Sequence, residues 1–253
     1  MRENLPDFTT LDVRLPDDRV LDERYRALAA AFEGARGDAA ATEAAFAHWD
    51  DWRAEWRTLS SIVGLQFSLD TRSEARRKLQ ADLDALVPGV TRRDDIVKRR
   101  LLDPAVRPLL ESRIGARPFD LWANDLLTFS PAVEPDLVRE AELGRRYSQL
   151  TGSAEVSFEG RRLTLGELQP FLQAAARETR HAAEHARWSI FEGAREELDA
   201  VFNELVHVRD RIARTLGFEN YLELGYRRMR RLDYGPSDVR AWRDEIARAI
   251  VPL

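Results

Sequence analysis

Two histidines and a glutamate stand close together in the segment HAAEH. His181, Glu184 and His185 occupy positions i, i+3 and i+4, the spacing of the H-x-x-E-H pattern of zinc hydrolases. In such sites the imidazoles bind zinc, and the carboxylate acts as general base on a metal-bound water. The segment therefore raises the hypothesis of a metal-dependent hydrolase.

The H-x-x-E-H pattern lacks an identifiable third zinc ligand. Glu192 lies eleven residues beyond His181, which is about 16 Å along a helix at about 1.5 Å per residue. Glu223 and Glu245 are possible ligands from other elements, but no spacing points to either. In a helix rich in alanine and glutamate the pattern arises easily by chance, so we favour a solvent-exposed or interhelical face. An independent H-x-x-E-H hydrolase stays open as a third interpretation of the chain.

An aromatic stripe is the second candidate site. Phe46, Trp49, Trp52 and Trp56 recur at helical spacing, and Leu59 and Val63 continue the stripe. Such a surface could form the wall of a peptide- or ligand-binding groove, because aromatic side chains supply much of the binding energy of such sites. A helix–helix core has the same spacing, and we favour it.

The surrounding sequence is dominated by helical periodicity. The predicted helices with numbered bounds cover residues 18–34, 38–69, 92–102, 104–114, 119–127, 135–150 and 178–216. A further helix is predicted with Thr71 as its N-cap and Pro88-Gly89 as its stop, and a short one is opened by Gly166. Two final helices are predicted in NYLELGYRRMR and SDVRAWRDEIARAI, the latter capped by Ser237. Gly217 is predicted to end the 178–216 helix in a left-handed conformation. Alternating residues on both sides of Glu159-Gly160 predict a β-hairpin. The predicted fold is all-α, a multi-helix array with one small β-hairpin near residues 155–165.

Composition excludes several classes of function. The chain has no cysteine, which rules out disulfides, cysteine-ligated zinc and thiol catalysis. A net charge of −5 gives no basic surplus for nucleic acid. No apolar run reaches the length of a membrane span, and the first ten residues contain no signal-peptide core. We therefore expect a cytoplasmic location without nucleic-acid or membrane partners. The chain also has no G-x-S-x-G, P-loop, G-x-G-x-x-G or H-E-x-x-H motif.

The last half of the chain resembles a known family. The segment VRDRIARTLGFENYLELGYRRM, the following DY and the final helix ending in IVPL are similar to the region that precedes the catalytic core of oligoendopeptidase F-like enzymes. These enzymes belong to the thimet oligopeptidase family of zinc metallopeptidases. The hairpin VSFEGRRLTLGELQPFL and the helix VREAELGRRYSQLTG extend the resemblance over residues 122–253. It suggests a helical lobe over residues 1–130 and a hairpin plus long-helix segment over residues 131–253.

The resemblance implies a non-catalytic, N-terminal portion of a peptidase. In the family, a helical shell surrounds a deep channel that admits short peptides, and an H-E-x-x-H helix farther along the chain holds zinc. We therefore expect no catalytic, cofactor-binding or metal residue of the family in this chain, and no peptide cleavage by it alone. Whether the chain is an enzyme stays open, and the alternative is a standalone helical binding or scaffold protein that lost the catalytic half.

The chain ends on the apolar segment RAIVPL. No glycine cap or charged tail closes its last helix, as a helix end in water would usually require. This ending suggests a shortened chain, whether from a frameshifted or fragmentary gene, by deliberate truncation, or as one piece of a split enzyme. We expect an exposed apolar surface that binds the missing catalytic half, a second copy or a hydrophobic dye.

Overall fold

The computed structural model describes residues 11–35 and 37–253. These residues form α1 (Asp18–Gly34), α2 (Ala39–Leu69), α3 (Glu74–Leu101), α4 (Arg107–Ile114), α5 (Arg117–Leu127), a 3-10 turn (Pro131–Val133), α6 (Glu134–Gly152), β1 (Glu155–Phe158), β2 (Arg161–Thr164), α7 (Leu165–Leu172), α8 (Arg177–Gly193), α9 (Arg195–Thr215), α10 (Tyr221–Arg228) and α11 (Pro236–Ala249). The predicted all-α fold with one hairpin is confirmed. None of the helices in the described residues is long and apolar enough to cross a membrane. The first ten residues, predicted to lack a signal peptide, lie outside the described part.

The chain divides into two compact units. The hairpin unit contains residues 11–14, Leu59–Asp84 and Val138–Val208. The tryptophan unit contains Leu15–Thr58, Ala85–Leu137 and Arg209–Leu253. The predicted boundary near residue 130 stays a prediction.

The core of the tryptophan unit is built from one face of each of several helices. Helix α1 begins where the Asp17 carboxylate accepts a hydrogen bond from the backbone N–H of Val20 at 2.8 Å, which caps the first turn. Its apolar stripe then buries Leu21 and Leu28 completely. These side chains join one buried cluster with aromatic and aliphatic residues of α2, α3, α4 and α5, namely Trp49, Trp52, Val90, Val97, Leu101, Leu110, Phe119 and Trp122.

A buried lysine lies beside this core. The ammonium of Lys98 is 3.3 Å from a carboxylate oxygen of each of Asp94, Asp95 and Asp125. Burial alone would lower the pKa of Lys98, but attraction by Asp94, Asp125 and Asp95 outweighs it and raises the pKa above its ordinary value. Burial also raises the pKa of the Asp95 carboxyl, against the opposing pull of Lys98. Each of these buried charged groups thereby has an ionic partner, as buried charges require.

The hairpin has the register that its turn predicts. Glu159 and Gly160 both have positive φ, at 47° and 74°, as a two-residue type I′ turn requires. Phe158 and Leu163 point to the same side and pack with Leu168 of α7 and Ala183 of α8. The hairpin thereby gains the helical support that a lone pair of strands needs.

The predicted helix stop at Pro88-Gly89 is wrong. Helix α3 runs through Pro88 to Leu101, although an interior proline costs about 3 kcal/mol through a lost hydrogen bond and a steric clash. Buried side chains lie on both sides of the proline, Leu83 before it and Val90 after it. Their burial, worth about 1.5–3 kcal/mol for each large apolar side chain, offsets that penalty. The predicted 92–102 helix is the end of the same α3.

The predicted continuous helix over residues 178–216 is also wrong. It is two helices, α8 and α9, separated at Ala194, whose N–H still contacts the carbonyl oxygen of Ile190 at 3.2 Å. Gly193 directly precedes the break and is a poor helix former. The apolar seam continues across the break, so periodicity alone did not reveal it. The predicted end is confirmed, since Gly217 has a φ of 87°.

Two predicted N-caps are wrong because neighbouring residues take the role. Helix α3 begins at Glu74, and the Ser73 hydroxyl accepts from the N–H of Arg76 at 3.4 Å, while Thr71 is buried. Helix α11 begins at Pro236, which suits a first helical position because it has no N–H to satisfy. Gly235, rather than Ser237, precedes it, and its N–H donates to the Asp238 carboxylate at 2.8 Å.

We predict that replacing Lys98 with methionine destabilises the protein by about 3–5 kcal/mol, the usual result of removing one partner of a buried ionic cluster. The substitution keeps the length of the side chain but removes the ammonium that Asp94, Asp95 and Asp125 share. Urea unfolding at neutral pH measures the loss as a lower midpoint.

The chain's other lysine provides the matched control. The Lys78 side chain is 74% exposed, against 7% for Lys98, and pairs with Asp82 at 2.6 Å on the surface. Lys78→Met should cost about 0–1 kcal/mol. Equal losses for the two variants would contradict a special role for the buried cluster.

Candidate functional site

The two histidines of the H-x-x-E-H pattern meet on the surface of α8. Both side chains are exposed, and their Nε2 atoms are 3.3 Å apart. They lie on the face opposite Ala183, which is completely buried in the hairpin unit. This placement agrees with the favoured interpretation of the pattern as a solvent-exposed face.

The glutamate of the pattern is engaged by its neighbours. The Glu184 carboxylate accepts hydrogen bonds from the Arg187 guanidinium and, at 2.9 Å, from Nε1 of Trp188. The bond from Arg187 holds the pKa of the Glu184 carboxyl below its ordinary value. A carboxylate that is ion-paired in this way is a weaker base, so Glu184 is poorly suited to activate a water.

The three candidate third ligands lie apart from the histidine pair on α8 or are ion-paired with other residues. Glu192 lies at the far end of α8. Glu223 pairs with Arg227 at 3.3 Å, and Glu245 pairs with Arg248 at 2.5 Å. Across residues 11–35 and 37–253, no group of three or more histidine, aspartate and glutamate side chains is placed to hold a metal. In this part of the chain the pattern offers two imidazoles without an arranged third ligand, whereas catalytic zinc takes three protein ligands.

The aromatic stripe of α2 is core and not a groove wall. Trp49 is completely buried, and its ring centroid lies 5.4 Å from that of Trp122 in an edge-on arrangement. Nε1 of Trp49 donates a hydrogen bond to Asp94 at 2.7 Å. The one polar atom of the buried indole therefore has a hydrogen-bond partner. Trp52 contacts the ring of Tyr25 in the same cluster. The favoured core interpretation is confirmed, and the groove interpretation is wrong.

A charged cleft of about 660 Å³ lies in the hairpin unit. It is formed by residues of α3, α6 and α9 that alternate basic and acidic side chains: Glu74, Arg77, Lys78, Arg139, Glu142, Arg145, Arg146, Glu197 and Glu204. Its size suits a peptide segment or a small polar ligand.

Ion pairs organise the charged cleft. The Arg139 guanidinium donates hydrogen bonds to both carboxylate oxygens of Glu204, at 2.6 and 2.7 Å, and to Glu142 at 2.6 Å. These hydrogen bonds raise the pKa of Arg139 further above its ordinary value. Arg146 pairs with Glu197 across the same helices. The cleft therefore presents fixed donors and acceptors together, which suits the amide groups and termini of a peptide.

Sequence reasoning missed the charged cleft. Its residues come from three separated segments, each of which reads as an ordinary solvated helix face. Arg139 and Glu142 are one helical turn apart and could be paired from the sequence. The partnership with Glu204, 65 residues along the chain, depends on the packing of α6 against α9.

A second cavity, of about 610 Å³, lies in the tryptophan unit around the start of α10 and the turn into α11. Tyr226 and Tyr234 meet edge to face with centroids 6.3 Å apart. The Arg231 guanidinium lies 5.1 Å from the first ring and 5.5 Å from the second, within the range of cation–π attraction. The segment FENYLELGYRRMRRLDYG, which carries much of the resemblance, forms this cavity.

Large apolar side chains are exposed around the same segment. They are Leu222, Met229, Tyr234, Trp242, Ile250, Val251 and Leu253. Helix α11 has no buried residue along its length. An exposed set of this kind is typical of a surface that is covered by a partner.

Comparisons with known proteins find a matching family model and similar solved structures. Residues 8–129 match the family described as Peptidase M3 N-terminal domain. An oligoendopeptidase F of known structure is 34% identical, with a TM-score of 0.90, and the match covers 97% of this chain and 43% of the other. An oligoendopeptidase F from Bacillus anthracis is 32% identical with a TM-score of 0.91, and the match covers 99% of this chain and 46% of the other. A PZ peptidase A solved with an inhibitor is 31% identical with a TM-score of 0.90, and the match covers 97% of this chain and 44% of the other. No curated protein matches.

The matched region is thus less than half of each of those longer chains. Almost all of the present chain takes part in every match.

We predict that fluorescence separates the core tryptophans from the surface ones. In a Trp188→Phe, Trp242→Phe variant the remaining indoles are Trp49, Trp52, Trp56 and Trp122, all in or packed against the core cluster. Emission should shift to shorter wavelength, and acrylamide quenching should fall well below that of the unmodified protein. Quenching that stays at the original level would contradict the assignment of the stripe to the core.

Proposed function

Because this chain belongs to the peptidase M3 family, we propose that it forms the non-catalytic, N-terminal portion of a zinc-dependent oligoendopeptidase. The observation that carries the proposal is the match to two oligoendopeptidase F structures over 97% and 99% of this chain. Sequence identities of 34% and 32% accompany TM-scores of 0.90 and 0.91. Residues 8–129 independently match the N-terminal domain of the family.

In this proposal the helices form part of the shell around a peptide channel and restrict entry to short peptides. The charged cleft supports such a role, because paired arginine and glutamate side chains offer hydrogen-bond donors and acceptors to a peptide backbone. Arg139 and Glu204 hold each other in a bidentate pair, so the groups are positioned before a ligand arrives. Preorganised groups lose less entropy on binding.

Zinc belongs, in this proposal, to the remainder of the enzyme. The H-x-x-E-H residues of α8 do not fit a catalytic zinc, because Glu184 is bound by Arg187 and Trp188. The chain's own contribution is therefore steric and positional. It shapes access to a reaction centre that other residues supply.

The exposed apolar side chains of α10, α11 and the C-terminal segment are proposed to pack against that remainder. Trp242, at 64% exposure, is the largest of them. Tryptophan is among the residues that contribute most to protein interfaces when they become buried. We further propose a cytoplasmic location and no nucleic-acid or membrane partner, following the composition.

We predict that the purified chain hydrolyses no peptide by itself. The test uses a short, internally quenched peptide, with and without added zinc. Mixing the chain with the separately produced catalytic portion of a related oligoendopeptidase F should yield zinc-dependent hydrolysis above that of either part. Zinc-dependent cleavage by this chain alone would overturn its non-catalytic role.

A pair of tryptophan variants tests the proposed contact surface. Trp242→Ala should weaken association with the catalytic portion by roughly tenfold or more, since a buried interface tryptophan is worth about 2 kcal/mol or more. Trp188→Ala is the control, because Trp188 is also exposed, at 53%, but lies on α8. Equal weakening by both variants would argue against the α10–α11 surface.

A standalone helical binding or scaffold protein is the alternative. The exposed apolar side chains around α11 favour it as well, because they suit any protein partner or a second copy of the chain. Light scattering distinguishes self-association from a monomer. An H-E-x-x-H coding region directly downstream in the DNA supports the peptidase, and unrelated sequence there supports the scaffold.

A further inference from the structure

The paired histidines of α8 have a geometry that the proposed peptidase role does not use. His181 and His185 lie one helical turn apart, their ring centroids are 4.5 Å apart, and their Nε2 atoms are 3.3 Å apart. We propose that this pair is an open surface site for one divalent transition-metal ion, such as copper, nickel or zinc. Water or an incoming ligand completes the coordination.

The distance between the two nitrogens suits a shared ion. Zinc–imidazole bonds of about 2.0–2.1 Å at a tetrahedral angle place two ligand nitrogens about 3.3–3.4 Å apart. The observed separation of 3.3 Å falls at that value. An ion could therefore bind with little movement of either ring.

The helix holds the pair in place. Residues four apart on a helix are surface neighbours, and α8 is fixed by Ala183, which is completely buried against the hairpin cluster. The 3.3 Å contact fits a hydrogen bond in which one neutral ring supplies an N–H and the other a lone pair, with the roles set by their tautomers. A metal ion would bind the Nε2 lone pairs of both neutral rings, with the one proton of each ring on Nδ1.

The surroundings make this a two-histidine site and not a hydrolytic centre. Glu184 lies between the histidines in sequence, but its carboxylate is held by Arg187 and Trp188. Glu178 lies one turn before His181 on the same helix face, and its exposed carboxylate adds a favourable negative charge. Two imidazole ligands should follow the general order of affinities, with copper above nickel and zinc, and no measurable magnesium binding.

Calorimetric titration of the full chain with copper, nickel or zinc chloride tests the site. The unmodified protein should bind one ion with a saturable isotherm. His181→Ala and His185→Ala should each weaken binding by roughly an order of magnitude or more, because each removes one of two protein ligands. Both side chains are exposed, and circular dichroism verifies that the variants keep their helices.

The chain's other two histidines are the matched controls. His48 and His207 are also exposed, so His48→Ala and His207→Ala should leave the affinity unchanged. Copper bound at the pair should also quench Trp188, which lies three residues after His185 on α8. Trp188→Phe should remove that part of the quenching and leave the calorimetric affinity intact.

Three results would overturn the inference. One is the absence of saturable binding by the unmodified protein. Another is full affinity in His181→Ala or His185→Ala. The last is an equal loss in the His48 and His207 controls, which would indicate nonspecific histidine binding.

Discussion

The buried ammonium of Lys98 is the centre of a charged cluster that connects helices of the tryptophan unit. Its three carboxylate partners come from α3 and α5, and two of them bind other side chains as well. Asp94 also accepts a hydrogen bond from Trp49 of α2, and Asp125 also binds Arg230, two residues after α10, at 3.1 Å. A shift of any of these helices would separate charges in a medium of low dielectric constant, where separation is costly. We infer that the cluster sets the relative position of the helices, while the adjoining aromatic and aliphatic side chains form the buried core.

The hairpin unit is organised differently, by a small apolar cluster and a shell of ion pairs. The hairpin and α7 together bury Ala183, which turns the opposite face of α8 to solvent. That single packing choice explains why His181 and His185 are exposed and adjacent. On another side of the unit, α6 and α9 are joined by Arg139 and Glu204. The unit thus presents a histidine pair and a charged cleft, neither of which depends on a deep core.

Sequence periodicity predicted the elements better than their interruptions. The bounds of α1, the turn at Glu159-Gly160 and the cap at Gly217 follow from local preferences, so they could be read from the residues. Pro88 and Ala194 could not, because the apolar pattern runs unbroken across both positions. At Pro88 burial on either side outweighs the local penalty, and at Ala194 the helix breaks without any loss of the seam. The charged cleft depends on contacts between distant segments, and no local pattern identifies them.

Lysine is nearly absent from this chain, and the structure gives that scarcity a chemical consequence. Among 39 lysine and arginine residues only Lys78 and Lys98 are lysines, and Lys98 is enclosed by carboxylates. Acetylation, ubiquitination and amine-reactive labels act on an accessible, deprotonated amine. Apart from the amino terminus, such chemistry is directed to Lys78 alone. The folded protein therefore has one accessible lysine side chain, that of Lys78. Modification of Lys98 would indicate that the tryptophan unit had unfolded locally.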